Sequence, residues 1–231
     1  CGLPVVYLAA LEEKACVRCG SVKGANAVCE EGHFVCDACH VRDSKELIRT
    51  ICTNTRETDM IRLFQKVRSD SRFPIHGPEH HALVPGVILA TYRNLGGEIT
   101  ESDILTGIER GLSIPGGSCG FMGICGAAVG VGIAFSIIQG GNPLTPKPRQ
   151  AVQRVLSGII GVLAGQEAAR CCRRECLLSL REAARLSEDF LPISLRADEA
   201  SPCEQYRANA ECSRAGCPFF PGISAPAQPS P

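Results

Sequence analysis

Four cysteines near the start of the chain have the spacing of a metal site. Cys16 and Cys19 are separated by two residues, as are Cys36 and Cys39, and sixteen residues lie between the two pairs. A Cys-x-x-Cys turn places two sulfurs on one side of a tight loop, and two such turns supply the tetrahedral thiolate shell that Zn2+ prefers. We therefore expect this segment to fold around one zinc ion rather than to bury the four thiols as apolar side chains.

Two further donors lie between these pairs. Cys29 and His33 are both side-chain types that zinc accepts. They are candidates to replace one of the four cysteines or to ligate a second metal ion. The alternative is that they only pack inside the folded segment.

A glycine-rich segment over residues 114–132 contains Cys119 and Cys125. Glycine lets the backbone approach a ligand closely, and N–H groups at a helix N-terminus can hold an anion or lower the pKa of a thiol. Both cysteines are therefore candidate catalytic thiols or cluster ligands. In the alternative interpretation the glycines serve close helix packing and the thiols are simply buried.

Three of the five histidines lie within six residues, at 76, 80 and 81. They stand at the expected start of a helix, where they would converge on a metal ion, a cluster or a substrate. His80 and His81 are candidate catalytic residues, and His76 is a candidate cofactor ligand. Surface histidines without a role are the alternative.

Six more cysteines follow downstream and are candidate cofactor ligands: Cys171, Cys172, Cys176, Cys203, Cys212 and Cys217. A cysteine followed by proline, as at Cys217, is reminiscent of ferredoxin ligand runs, although the spacings of eight and four residues match no standard ferredoxin pattern. Iron–sulfur ligation and zinc ligation both stay open for this group.

The composition narrows the class of protein. The 231 residues are 45% hydrophobic and 21% charged, which is the balance of a globular protein with one main core. Lys and Arg equal Asp and Glu at 24 each, so nucleic acid is not a favoured partner. No apolar run reaches the length of a membrane span. Clustered cysteines without a secretion signal favour metal ligation in the reducing cytoplasm over disulfides.

Apolar residues recur at helical spacing through most of the remaining chain. Helices are expected near Ser44, from Glu57, and over 79–95, 100–111, 123–139, 148–164 and 174–190, with Thr100 or Ser102 as one N-cap. The predicted fold class is mainly α: a helical domain at residues 43–222 follows a zinc-ribbon-like or treble-clef-like metal module at 1–42. A disordered tail is expected at 223–231.

Several of these motifs resemble an uncharacterised cysteine-rich domain family of anaerobic bacteria and archaea. The resemblance covers about residues 40–220 and rests on four segments: His-Gly-Pro-Glu-His-His at 76–81, Pro-Gly-Gly-Ser-Cys-Gly at 115–120, Cys-Gly-Ala-Ala at 125–128 and Arg-Cys-Cys at 170–172. That family is associated with radical-SAM and methyltransferase proteins. The resemblance therefore implies a protein partner of that type, but no particular activity.

A looser similarity links the chain to a helical putative redox family with a Gly-Cys-Ala and spaced-cysteine signature. This similarity implies that Cys119, Cys125, Cys171 and Cys172 are redox or iron–sulfur positions. His80 and His81 stand about where that redox family has an early cysteine, so the type of cluster does not transfer directly.

Three functional hypotheses follow. The first is a metal-binding redox or sulfur-handling protein that holds zinc together with an iron–sulfur cluster. The second is a non-catalytic zinc-binding adaptor for a radical-SAM or methyltransferase partner. The third is a metal-dependent enzyme that uses His76, His80 and His81 as an open catalytic site.

Overall fold

In the computed structural model, which describes residues 3–199 and 202–222, a two-stranded hairpin precedes nine α-helices. The strands are β1 (Val5–Ala15) and β2 (Val22–Cys29), and they pair antiparallel with an irregularity between Tyr7 and Glu12. Most side chains of β1 are exposed, so the hairpin contributes little to the core. The tail predicted for residues 223–231 lies outside the described residues.

The helices make up about half of the described residues. They are α1 (Asp37–His40), α2 (Arg42–Asn54), α3 (Met60–Arg68), α4 (Glu79–Asn94), α5 (Glu101–Leu112), α6 (Ser118–Phe121), α7 (Gly126–Ile138), α8 (Pro146–Ala164) and α9 (Cys172–Phe190), followed by a 3-10 turn at Arg214–Gly216. A mainly α protein with its sheet confined to the N-terminal segment is thus confirmed for the described residues.

Capping residues explain where several helices begin. Thr100 caps α5 in a capping box with Asp103. Of the two predicted N-caps, Thr100 and Ser102, the structure has the first. The helix expected from Glu57 begins instead at Met60, because the Asp59 carboxylate accepts the N–H of Arg62 at 2.9 Å. The capping residues therefore define the first residue of these helices more exactly than the spacing of apolar residues does.

The structure adds one short helix that was not predicted. The helix expected over 123–139 is α7, which begins at Gly126, and the one-turn helix α6 lies before the predicted range. Gly117, just before α6, has a φ of +82°, a conformation that glycine adopts without strain. Cys119 therefore lies on α6, and Cys125 lies immediately before α7.

Helix α4 is the centre of the core and is buried along nearly its whole length. It packs against α2, α3, α5, α7 and α9. A helix with neighbours on all sides is apolar around its whole circumference, and this accounts for the absence of a polar face. The start of α4 carries the histidine segment, which is therefore held by several elements at once.

Two neighbouring helices approach the α4 backbone closely one turn before Pro85. Proline has no N–H to donate to the carbonyl oxygen of His81, one turn earlier. A Cβ at Gly111 of α5 would lie 2.5 Å from that oxygen, and a Cβ at Gly130 of α7 would lie 3.1 Å from it. Glycines at both positions thus let α5 and α7 pack directly on this part of α4.

Candidate metal centre and thiol groups

The first predicted site forms a compact group of four thiols. The sulfurs of Cys16, Cys19, Cys36 and Cys39 all lie within 4.8 Å of one another, and three of the four side chains are buried. Within residues 3–199 and 202–222, this is the one set of three or more Cys, His, Asp or Glu close enough to hold a single metal ion. The four cysteines can therefore bind an ion such as zinc.

The first pair is shaped by the turn of the hairpin. Cys16 and Cys19 lie in the loop between β1 and β2, where the N–H of Gly20 donates to the carbonyl of Cys16 at 2.8 Å. Gly20 has a φ of +73°, so glycine suits this turn. The loop therefore directs both sulfurs to one side.

The second pair is shaped by the start of α1. Cys36 precedes the helix and Cys39 lies inside it, and the Cys39 N–H donates to the carbonyl of Cys36 at 3.0 Å. A backbone hydrogen bond of 2.9 Å from Val17 to Phe34 joins the two turns. Each turn is formed by residues that are close together in sequence. The two turns are brought together by this hydrogen bond and by the hairpin.

The distances match a tetrahedral metal. Zn–S bonds of about 2.3 Å place neighbouring sulfurs of a tetrahedron about 3.8 Å apart. The sulfurs of Cys19 and Cys36 are 3.8 Å apart. Arg42 donates to the Cys39 sulfur at 3.5 Å, and Arg18 donates to the Cys39 carbonyl at 3.1 Å. These two cations would offset the negative charge of four thiolates around one divalent ion.

The thiols of this group have unequal proton affinities. A hydrogen bond from the Cys36 N–H lowers the pKa of the Cys16 thiol to about 6. Burial and the neighbouring thiols raise the pKa of Cys39 to about 11. A divalent cation at the centre stabilises all four thiolates, so metal binding here releases protons.

Cys29 and His33 do not join this group. The Cys29 sulfur lies 3.4 Å from Nδ1 of His33 and accepts the His33 N–H at 3.3 Å, across the turn after β2. Gly32 within that turn has a φ of +79°. The two side chains thus form a local pair outside the four-sulfur group.

The metal module contacts the helical domain through both ends of α1. The carboxylate of Asp37 accepts the N–H of Gly116 at 3.1 Å, in the glycine-rich segment. Nδ1 of His40 lies 3.1 Å from Oε2 of Glu79, the first residue of α4. The module therefore lies against the same end of the helical domain as the histidine segment.

A buried polar network continues from Glu79 into the domain. An Arg68 guanidinium nitrogen contacts Nε2 of His80, so Nε2 is the acceptor and the proton is on Nδ1, which donates to the carbonyl of Gly77 at 3.1 Å. Another Arg68 nitrogen donates to the side-chain oxygen of Gln205. The sequence pattern did not predict that Arg68 takes part in this network.

The network sets the charge states of its members. Burial lowers the pKa of His80 to about 4, although the Glu79 carboxylate opposes this effect. Burial would raise the pKa of Glu79, but hydrogen bonds from His40 and His80 outweigh it and lower the pKa to about 2. His80 is therefore neutral near pH 7. Both of its ring nitrogens have partners, so the ring orients the groups around it.

The three predicted histidines point to different partners. Nε2 of His76 lies 2.9 Å from the side-chain oxygen of Asn209, in the C-terminal segment. Nδ1 of His81 lies 3.1 Å from the carbonyl of Ile114, and a Cβ at Gly126 would lie 2.2 Å from the His81 ring. The expectation that His76, His80 and His81 converge is wrong in the described structure. His80 and His81 are successive positions on α4 and face different directions, and His76 lies before the helix begins.

Four thiols gather where three helices begin, and we call them the inner thiol group: Cys119, Cys125, Cys172 and Cys176. Cys119 is exposed on α6, Cys125 precedes α7, and Cys172 begins α9 one turn before Cys176. Burial is the main cause of the raised pKa values of Cys125, Cys172 and Cys176, and the neighbouring thiols add to it: Cys119 acts on Cys125 and Cys172, and these two act on Cys176. Their donor atoms are farther apart than those of the N-terminal four.

Burial dominates the acidity of three thiols in the inner group. It raises the pKa of Cys125 to about 12, although the N–H groups of Ala127 and Ala128 oppose it. It raises the pKa of Cys172 to about 11, and that of Cys176 further. Buried thiols of this kind are protonated and poor nucleophiles, so the exposed Cys119 is the accessible member of the group.

Cys171 does not belong with Cys172, although the two are adjacent in sequence. It lines a different cavity with Cys203, Cys212 and Cys217, and we call these four the C-terminal thiol group. The predicted set of Cys119, Cys125, Cys171 and Cys172 is therefore divided between two groups, with Cys176 in the place expected for Cys171. Cys52, which carried no motif, is fully buried in the core.

Fold and sites together define a cysteine-rich, mainly helical protein with a group of four cysteines near its N-terminal end that could hold a metal ion. Every helix formed by the described residues is too short or too polar to cross a lipid bilayer. Residues 48–220 match a family of unknown function, DUF5714, and the chain belongs to this family. No curated protein and no solved structure matches the chain. The N-terminal four cysteines lie before the matched range, whereas both other thiol groups lie within it.

Proposed function

We propose that this chain is a redox or sulfur-handling protein in which the N-terminal cysteines bind one structural zinc ion and the inner thiol group carries the chemistry. The observation that carries the proposal is the gathering of four thiols at helix starts, with only Cys119 exposed. The zinc module supports this end of the domain, since α1 contacts both Glu79 and the glycine-rich segment.

The arrangement suits thiol–disulfide exchange. The Cys119 thiolate attacks a disulfide of a partner molecule, which forms a mixed disulfide and releases one partner thiolate. That thiolate takes the proton of Cys125 or Cys172, and the resulting thiolate attacks the Cys119 sulfur. This second step forms an internal disulfide and releases the second partner thiolate, to which solvent returns the proton that Cys119 had lost. Two thiols of this chain are oxidised and one partner disulfide is reduced, so the electrons and protons balance.

Gly120 and Gly123 make such a step sterically feasible between Cys119 and Cys125. A Cβ at either glycine would meet nothing within 4 Å, and Gly123 has a φ of +68°. Cys119 and Cys125 are both free thiols in this structure, so one sulfur has to approach the other before a disulfide can form. The open space around this loop permits that movement.

Peptide mapping across a series of dithiol–disulfide buffers tests the proposal. We expect one internal disulfide that includes Cys119 to form reversibly in the folded protein. Cys119→Ser should abolish it, whereas Cys52→Ser, a matched change at a thiol buried in the core, should leave it intact. Failure of any disulfide to form in the wild-type chain, or its persistence in Cys119→Ser, would contradict the proposal.

A second candidate function is an adaptor for a radical-SAM or methyltransferase enzyme. It is favoured by the exposed apolar side chains of the hairpin, among them Val5, Val6 and Leu11, with Phe121 and Met122 also exposed. Apolar residues exposed together often mark protein interaction sites. Calorimetric titration with such an enzyme would then show weaker binding to Val6→Glu. Leu144→Glu is the control, at an exposed residue outside the hairpin.

A further inference from the structure

The C-terminal thiol group surrounds a single cavity that the thiol chemistry above does not use. Besides Cys171, Cys203, Cys212 and Cys217, the cavity is lined by Arg174, Tyr206, Asn209, Ser213 and Phe220. Three of the four cysteines are buried and one is half-buried. Four cysteines that line one cavity can share a ligand, whereas free buried cysteines ordinarily pack as separate small apolar side chains.

The backbone brings these cysteines together from two parts of the chain. Cys171 stands immediately before α9. The other three belong to the segment after residue 201, which folds back so that the Cys203 N–H donates to the carbonyl of Phe219 at 2.7 Å. The 3-10 turn at Arg214–Gly216 separates Cys212 from Cys217. Little regular structure supports this segment, so a shared ligand would account for its compact fold.

Two of the four sulfurs have N–H donors, as thiolate ligands commonly do. The side-chain nitrogen of Asn209 lies 3.8 Å from the Cys171 sulfur, and the N–H of Arg214 lies 3.4 Å from the Cys212 sulfur. The Arg174 guanidinium is buried beside the cavity, paired with Glu175 at 2.6 Å. N–H donors and a buried cation stabilise thiolates rather than neutral thiols.

An independent observation also points to a ligand. The hydroxyl oxygen of Ser213, which lines the cavity, is buried and has no hydrogen-bond partner. Buried polar atoms in folded proteins nearly always have a partner, so this hydroxyl is available to bind a further group in the cavity. A ligand with acceptor atoms inside the cavity would satisfy this hydroxyl.

The spacing of the sulfurs distinguishes between ligand classes. In the part of the chain that the structure describes, only the N-terminal four are close enough to hold a single ion. In a cubane iron–sulfur cluster each cysteine binds a different iron atom, so the four thiolates stand farther apart around a larger body. Such a cluster is held by four cysteine thiolates and has sulfide ions that accept hydrogen bonds.

We propose that Cys171, Cys203, Cys212 and Cys217 bind one [4Fe–4S] cluster. Its sulfides would face Ser213, and Tyr206 and Phe220 would shield it from water. This site is separate from the inner thiol group, and the two proposals can fail independently.

The test is iron, sulfide and zinc analysis of the full chain, purified without oxygen and reconstituted with ferrous iron and sulfide. We expect about four iron and four sulfide per chain in the wild-type protein. Cys203→Ser combined with Cys217→Ser should reduce iron to below about one per chain, while Cys52→Ser and Cys119→Ser should retain it. Zinc in place of iron, disulfides among these cysteines, or iron retained by the double variant would overturn the proposal.

A milder variant covers the case in which the double variant fails to fold. Asn209→Ala removes an N–H donor to the Cys171 sulfur without removing a ligand. Hydrogen bonds to the sulfurs raise the reduction potential of a cluster, so Asn209→Ala should keep its iron and be reduced at a more negative potential. An unchanged potential in a protein that holds iron would place the cluster elsewhere and overturn the assignment.

Discussion

Nδ1 of His40 lies 3.1 Å from Oε2 of Glu79, and this contact joins the metal module to the first turn of the central helix α4. The Glu79 side chain is fully buried, whereas that of His40 is 38% exposed. A buried carboxylate needs partners, and His40 is one of the two histidines that lie against it. The module is thus coupled to the helical domain through the charge of one buried residue.

This contact should be measurable as a coupling free energy. His40→Ala should lower the free energy of unfolding by about 1–3 kcal/mol, because it leaves the buried carboxylate with a poorer set of partners. The double variant with Glu79→Gln should cost less than the two single variants together. Urea denaturation of all four proteins gives the coupling.

The exposed pair of Lys45 and Glu109, 2.8 Å apart, is the control. Its coupling should be below about 1 kcal/mol, because exposed ion pairs are screened by water. Additive effects for His40 and Glu79 would show that their contact does not couple the module to the domain.

Metal removal should unfold the module and spare the helical domain. The hairpin buries few apolar side chains, so the bound ion has to supply most of its stability. Treatment with a strong chelator, or Cys39→Ser, should abolish amide protection over residues 5–40 while α4 stays protected in hydrogen exchange. Cys29→Ser should keep both the metal and the protection, and equal protection of the apo hairpin would argue against a structural metal.

Stability should fall on mild acidification because of His80. Burial lowers its pKa in the folded protein to about 4, against an ordinary value of about 6.5 in the unfolded chain. Between these values only the unfolded state binds the proton, so the free energy of unfolding decreases as pH falls, by up to about 3 kcal/mol. His80→Gln should flatten this dependence in urea titrations across the window, and equal slopes would refute the assignment.

The close packing of α5 on α4 gives a prediction with an internal control. Gly111→Ala places a methyl group 2.6 Å from the Cα of Ala82 and should cost about 1–3 kcal/mol of stability. Gly161 lies within α8 with no atom within 4 Å of its Cβ position. Gly161→Ala should therefore stabilise the protein by about 0.5–1 kcal/mol, because alanine is the better helix former. Thermal unfolding of the two variants should show shifts of opposite sign.

Local features of the sequence predicted much of this structure. The two Cys-x-x-Cys turns, the capping box at Thr100 and the apolar spacing of α2 to α5 and of α7 to α9 all involve residues within a few positions of one another. The exact start of α3 and the short helix α6 were missed, because they depend on the Asp59 cap and on the left-handed conformation of Gly117.

The sequence by itself determined that the chain is mainly helical, rich in cysteine and able to form a four-thiol metal group near its N-terminal end. Only the tertiary structure decided which distant cysteines share a site. Cys171 and Cys172 are adjacent, yet successive residues at a helix start face different directions, so one meets the C-terminal segment and the other the inner thiol group. Such groupings depend on how α9 packs between α4, α7 and the returning chain, and no local pattern encodes that packing.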